Sequence, residues 1–217
     1  TAARLKKATP SLDVAIIEPN EKHYYQPLWT LVGAGIVPLS ETVRDQKDFT
    51  PKGQTWIKQK VATFQPEQNQ VTLDNGDILE YEYLVVAPGI QLDWYKIKGL
   101  KEALGKNGVC SNYTAESCQY TWECIKSLKE GDSAVFMNPQ LPIKCAGAPQ
   151  KIVYLAEDYL RKAGLRDKVK IEFALHGPRI FGVDKYRIAL EKVLERKELK
   201  PRFEHTLVEV DGPNQIA

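Results

Sequence analysis

The sequence predicts an α/β chain built on parallel sheets. Three observations carry this. Short apolar runs of strand length alternate with helical patterns of ten or more residues, the arrangement of parallel strands joined by crossover helices. The first run, Leu12 to Glu18, is almost wholly apolar and ends in an acid, which suits a strand buried on both faces. A second run, Tyr83 to Ala87, is halted by Pro88-Gly89.

In chain order, Ala2 to Lys7 reads as the end of a helix broken by Pro10 and Ser11, and Leu12 to Glu18 follows as a strand. Pro19 to Gly35 is expected to be irregular. It holds His23, Tyr24, Tyr25, Trp29 and two glycines. Gln54 to Phe64 and Gln70 to Leu73 read as two strands. Asp74-Asn75-Gly76-Asp77 is a hairpin turn by its Asn-Gly pair, and Ile78 to Tyr81 returns from it. Tyr83 to Ala87 reads as a further buried strand. Ala115 to Glu130 is helical, with Thr114 as N-cap and Gly131 as stop. Ser133 to Met137 is a strand and Pro139 to Pro149 a loop. Gln150 to Lys162 is a helix, Val169 to Leu175 a strand, Asp184 to Lys197 a helix and Arg202 to Val210 a last strand that includes His205. The 217 residues suffice for one large or two small domains at ~150 residues each. A boundary near Asn107 to Tyr113 divides them into 1–108 and 109–217.

The composition is that of a globular chain, 43% apolar and 27% charged. Thirty basic residues against 28 acidic leave a net charge of +2. With no basic block interleaved with aromatics, nucleic acid is not an expected partner. No apolar run approaches the ~20 residues that cross a bilayer. The four cysteines, Cys110, Cys118, Cys124 and Cys145, lack CxxC or zinc spacing, so no metal is expected. They are too few for a secreted disulfide scaffold.

A strand ending in an acid usually sits second in a Rossmann unit, with a first strand and glycine-rich phosphate loop about 20 residues before the acid. Only 17 residues precede Glu18, and they open inside a helix. The chain is therefore expected to be part of a longer one. Asp211-Gly212-Pro213 points the same way, as a turn leading to a partner strand.

Three places carry chemistry. Glu18, at a strand end, suits the hydroxyls of an adenosine ribose, since a carboxylate accepts from two adjacent donors. The bland alternative is a solvated strand-end charge. Gly89 closes an apolar strand with a sharp turn where backbone can approach a dinucleotide, or it is an ordinary strand-to-loop turn. The segment PQLPIKCAGAPQK, Pro139 to Lys151, stands where a second Rossmann unit would carry GxGxxG but does not fit that pattern, which disfavours pyridine-nucleotide binding. It holds Cys145 between Lys144 and Ala146-Gly147, just ahead of a helix. Helix N-termini and nearby cations favour thiolate, and small neighbours leave room for a substrate or a second sulfur. The alternative is a packing cysteine in a turn. Cys118 and Cys124 read as buried apolar residues. His23, His176 and His205 have no nucleophile partner, and the Tyr24 to Trp29 aromatics read as core.

VAIIEPNEKHYYQPLWTLVGAG (Val14 to Gly35), PIKCAGAPQKIVYL (Pro142 to Leu155) and IFGVDKY (Ile180 to Tyr186) together resemble the sulfide:quinone oxidoreductases of the mitochondrial and related proteobacterial type. The resemblance runs over essentially the whole chain. It implies two dinucleotide-binding, Rossmann-like domains of the glutathione-reductase type, here incomplete. Residues 1–108 would be part of the FAD-binding domain, and 109–217 part of the second, carrying the redox cysteine. It implies a peripheral membrane flavoenzyme of the mitochondrial inner membrane, or of a bacterial plasma membrane. Such an enzyme oxidises hydrogen sulfide, passes two electrons through FAD to a quinone, and hands a sulfane sulfur to a thiol or sulfite. Carried over by motif, Cys145 is the cysteine that becomes persulfidated. Glu18, Gln26 in its YQP segment and Val61 in the KVATF strand contact the cofactor. Cys110 is a candidate third cysteine, although its Ser-Asn-Tyr context looks mitochondrial. The second redox cysteine and the membrane-facing helices are expected beyond these residues, so the 217-residue piece alone should neither hold FAD tightly nor turn over. The competing readings are a type II NADH:quinone oxidoreductase, which needs a glycine-rich loop after Met137, and a non-catalytic module on a flavoprotein scaffold.

Overall fold

The computed structural model describes residues 1–140 and 142–217. In chain order its elements are α1 (Ala2–Ala8), β1 (Ala15–Ile17), β2 (Lys22–Tyr24), α2 (Trp29–Gly33), β3 (Val43–Asp45), α3 (Gln46–Phe49), β4 (Thr55–Ile57), β5 (Val61–Gln65), β6 (Gln70–Leu73) and β7 (Ile78–Glu80). There follow α4 (Leu100–Ala103), α5 (Ala115–Ser127), β8 (Ser133–Asn138), α6 (Ala148–Lys162), β9 (Lys170–Leu175), α7 (Asp184–Arg196) and β10 (Pro201–Arg202). They fall into two compact units, one of Thr1–Tyr25 with Val43–Gly89, the other of Gln26–Thr42 with Ile90–Ala217.

In the first unit β1 and β4 pair in parallel, Ile16 opposite Trp56. β5, β6 and β7 form an antiparallel meander. The Asn-Gly turn is where the sequence puts it. Gly76 has φ of 91° and donates its N–H to the Leu73 carbonyl at 3.0 Å. Val71 and Leu73 are the buried side chains of this meander. The expected strand Gln54 to Phe64 is two strands in two sheets. At the break Lys60 and Asp74 exchange hydrogen bonds, Lys60 N–H to Asp74 Oδ1 at 3.2 Å and Asp74 N–H to the Lys60 carbonyl at 2.9 Å. These turn the chain from the parallel ladder into the meander. The stretch expected to be irregular contains β2, paired with β3.

Tyr83 to Ala87 is not a buried strand. It pairs with no described strand, and Tyr83, Val85 and Val86 are 90%, 64% and 56% exposed. An apolar run of this kind becomes a strand only when neighbours complete its ladder, and β1 and β4 alone do not provide them.

In the second unit β8, β9 and β10 form a parallel sheet in the order β10-β9-β8, with Phe136 opposite Phe173. Val153, Phe173, Leu175, Ile180, Leu194 and Leu199 make its core. Burying each large apolar side chain contributes about 1.5–3 kcal/mol. A second cluster joins α2 to α5 through Trp29, Val32, Ala115 and Cys118. Trp29 is therefore core, as read, whereas Tyr24 and Tyr25 are exposed. Thr114 caps α5, its Oγ1 accepting the Ser117 N–H at 3.1 Å. The helix ends at Ser127 rather than Glu130. Asp132 takes the Lys129 N–H at 3.0 Å and so closes a turn in place of another helical one. The last strand is two residues long instead of running to Val210. Glu204 adopts a left-handed φ of 58°, which ends extended backbone, so His205 lies outside any strand.

Candidate functional site at Cys145

The loop that leaves the carboxyl end of β8 carries Cys145. In open α/β sheets, chemistry collects at the carboxyl ends of the strands. The loop enters α6 through Gly147, with Pro149 in the first turn, where a missing N–H is harmless. Lys144, Cys145 and Ala146 are exposed. Cys145 has φ of 66°, a left-handed conformation that L residues other than glycine, asparagine and aspartate rarely adopt. Its carbonyl accepts the Ala148 N–H at 2.8 Å, which fixes the cysteine against the start of the helix.

Two side chains frame the sulfur. The Lys151 ammonium, from the first turn of α6, lies 3.8 Å from Sγ. The Tyr113 hydroxyl donates to the Lys144 carbonyl at 2.6 Å. Burial pushes that hydroxyl up to about 12, and the facing negative charge of a Cys145 thiolate adds to the rise. Lower on α6, buried Gln150 donates from Nε2 to the Ile180 carbonyl at 2.6 Å. That bond ties α6 to the segment preceding α7. Neither Lys151 nor Tyr113 stands out in the sequence. Lys151 is six residues from the cysteine, and only the turn into α6 brings it back. Tyr113 comes from the segment before α5.

The other cysteines differ in kind. Cys118 is fully buried, its Sγ donates to the Ala115 carbonyl at 3.2 Å, and burial pushes its thiol up to about 11. Cys110 and Cys124 face each other. A hydrogen bond with Cys124, then burial, pushes the Cys110 thiol well up, while the same hydrogen bond holds Cys124 down. The histidines are structural or peripheral. His23 stacks on Phe49 with centroids 4.4 Å apart, and His176 pairs through Nδ1 with Thr206 Oγ1 at 2.7 Å. Among the described residues no group of three His, Cys, Asp or Glu could hold a metal ion, and no helix is long and apolar enough to cross a membrane.

Of the expected cofactor contacts, Glu18, Val61 and Gly89 lie in the first unit and Gln26, with Cys145, in the second. Glu18 directly follows β1 at its carboxyl end, half-buried, and its N–H bonds the Ile57 carbonyl at 3.1 Å. Its Oε1 accepts from the Asn20 backbone and side chain at 2.8 and 2.6 Å. An acid in this place fits ribose hydroxyls by its chemistry. Val61 opens β5, and Gln26 opens a 3₁₀ turn leading into α2. Gly89 has φ of 81°, and an added Cβ would meet nothing. Its backbone therefore favours glycine, while the space above it is open. An open groove of about 450 Å3 lined by Arg179, Asp184, Arg187, Glu191 and neighbours holds charges already paired with one another and no thiol.

No family model matches the chain. Curated proteins and solved structures do. The mitochondrial sulfide:quinone oxidoreductase of Dictyostelium discoideum is 51% identical over 94% of this chain and 45% of its own length. That of Mus musculus is 44% identical over 100% of this chain and 48% of its own. The chain thus spans about half the length of the curated relatives it matches. The crystal structure of the sulfide:quinone oxidoreductase from Aquifex aeolicus superposes with a TM-score of 0.81 over 97% of this chain and 49% of that one, at 21% identity. That likeness establishes the α/β fold with Rossmann-type units. The resemblance carried by Val14 to Gly35 and Pro142 to Leu155 is borne out, and the chain is a relative of the sulfide:quinone oxidoreductases, matching about half of each along nearly all of its own length.

Proposed function

We propose that this chain supplies part of a flavoprotein that oxidises hydrogen sulfide to a sulfane sulfur and delivers two electrons to a quinone. The observation that carries the reading is Cys145. It is an exposed thiol in left-handed backbone, at the carboxyl end of a parallel strand, with an ammonium 3.8 Å from its sulfur.

Sulfide, largely HS⁻ at neutral pH, attacks Sγ of Cys145 while that sulfur is bonded to a second cysteine sulfur. A new S–S bond forms on Cys145 and the old one breaks. The partner leaves as thiolate, and Cys145 keeps the sulfane sulfur as a persulfide. A thiol or sulfite then removes it. FAD fits the first unit through Glu18, with Val61 and Gly89 as further contacts there, while Gln26 stays a contact that the family motif alone suggests; when bound, FAD supplies the two-electron chemistry that side chains lack. Residues 1–108 then belong to the FAD-binding domain and 109–217 to the second domain. The protein works at the mitochondrial inner membrane as a peripheral protein.

The test is to mix the flavin-loaded protein that carries this chain with sulfide and a short-chain quinone without oxygen. Flavin absorbance bleaches rapidly in wild type and not in Cys145→Ser. Bleaching by NADH with no response to sulfide overturns the reading.

A further inference from the structure

Lys151 is the residue whose place the chemistry above leaves unexplained. It is exposed on the first turn of α6, and it has no acidic partner among the ion pairs of the described residues. Its Nζ is directed at Sγ of Cys145 from 3.8 Å. Lys144 is nearer in sequence and also exposed, but its contact is through its backbone carbonyl, which Tyr113 holds. A lysine with no carboxylate to satisfy it, turned onto a sulfur, is placed to compensate negative charge there.

We propose that Lys151 is a catalytic residue at Cys145, its ammonium holding the anionic sulfur when the sulfane sulfur is taken by an anionic acceptor. This rests on the reading of Cys145 as the persulfide carrier. In the step, the acceptor's sulfur, a thiolate or sulfite, attacks the outer sulfur of the Cys145 persulfide. A bond forms between acceptor and outer sulfur. The bond from Sγ to the outer sulfur breaks, and Sγ keeps the electron pair. No oxidant and no proton are needed. Charge that began on the acceptor ends on Sγ, beside Lys151 in both states. The same ammonium draws anionic acceptors in preference to neutral ones of equal size.

The test reads that preference directly, without flavin or quinone. The full chain is reduced and alkylated with iodoacetate, an anion, or iodoacetamide, its neutral counterpart. Mass spectrometry follows the rate at Cys145 for each. The iodoacetate-to-iodoacetamide ratio is expected to fall by about fivefold in Lys151→Met, as for loss of one unit charge near 4 Å in a wet environment. Lys151→Arg, which keeps the charge, restores it. Lys144→Met leaves the ratio near wild type. An unchanged ratio in Lys151→Met, or an equal fall in Lys144→Met, overturns the proposal. A lysine acting only through helix structure would move both rates together and leave the ratio alone. Sulfide-dependent flavin bleaching that survives Cys145→Ser would instead bring down the underlying reading, so the two failures are told apart.

Discussion

The α-carbon of Gly35 lies against the indole of Trp122, so close that an added Cβ would stand 2.4 Å from Cε2. Trp122 has little freedom to retreat, because it packs edge-on against Tyr159 of α6 with ring centroids 4.9 Å apart. Gly35 also has φ of +71°. The contact therefore joins the loop after α2 to α5, and through Trp122 to the helix that carries Lys151. Gly35→Ala is expected to destabilise the protein by about 2–4 kcal/mol, combining overpacking with left-handed strain. Gly105→Ala is the control, since its φ is +84° but an added Cβ meets nothing. Urea denaturation of the two variants separates the clash from the backbone preference, and equal losses would refute the clash.

Glu157 is fully buried in α6 and paired. Its Oε1 takes the Arg161 guanidinium at 2.6 Å, and its Oε2 takes the Lys197 ammonium just past α7. Burial pushes this carboxyl up, but hydrogen bonds from Lys197 and Arg161 outweigh it, leaving the group below its ordinary value of 4.5. A carboxyl depressed by folding stabilises the fold in full above the unfolded value. That contribution fades as pH falls from about 4.5 through the lower folded value. Glu157→Gln leaves three cations, Arg161, Arg166 and Lys197, beside a neutral amide and is expected to cost about 3–5 kcal/mol at pH 7. Its stability should also vary less with pH below 4.5 than that of wild type, as read by thermal denaturation across pH 3–7.

The four thiols should react in a fixed order. Cys145 is exposed and Cys118 fully buried. Cys110 and Cys124, in mutual contact and half-buried, come between. Limited labelling with N-ethylmaleimide and peptide mapping should find Cys145 modified first and Cys118 protected until the protein unfolds. Early labelling of Cys118 would mean that the α2–α5 core opens readily.

Tyr113→Phe removes the hydroxyl that holds the Lys144 carbonyl. The expected loss in global stability is only about 0.5–1.5 kcal/mol, because the loop lies outside both cores. Proteolysis within 142–147 should accelerate several-fold while the melting temperature falls by only about 1–6 °C. Unchanged cleavage would show that the turn into α6 holds the loop unaided.

The exposed Tyr83 to Val86 run should bind hydrophobic dye and promote self-association of the 217-residue chain. Replacing Val85 and Val86 by threonine should reduce both, as followed by dye fluorescence and sedimentation at rising concentration.

What could be read from residue order followed the range of the interactions. The Asn-Gly hairpin, the Thr114 cap and the β8-α6-β9-α7 alternation are local, and each was legible. Tyr83 to Ala87 was not, because a parallel strand is defined by distant neighbours rather than by its own pattern. The division of Gln54 to Phe64 depended on Asp74, fourteen residues beyond Lys60. At the site, Cys145 was legible from its lysine, its small neighbours and the helix after it. Lys151 and Tyr113 were not, since they reach the sulfur's loop only through a turn and a crossing segment.

Cys145 occupies a backbone shape made for glycine, and this opposes the interests of folding and chemistry at one residue. A chain shaped for durability alone would carry glycine between Lys144 and Ala146, relieving about 1 kcal/mol of backbone strain. Cysteine there costs stability and returns only a sulfur held at a set angle in front of a helix. It follows that Cys145→Gly should outlast wild type on heating while being chemically inert, and that Cys145→Ser should be inert without that gain. At this one residue the fold gives up some robustness to hold a sulfur where glycine would sit with less strain.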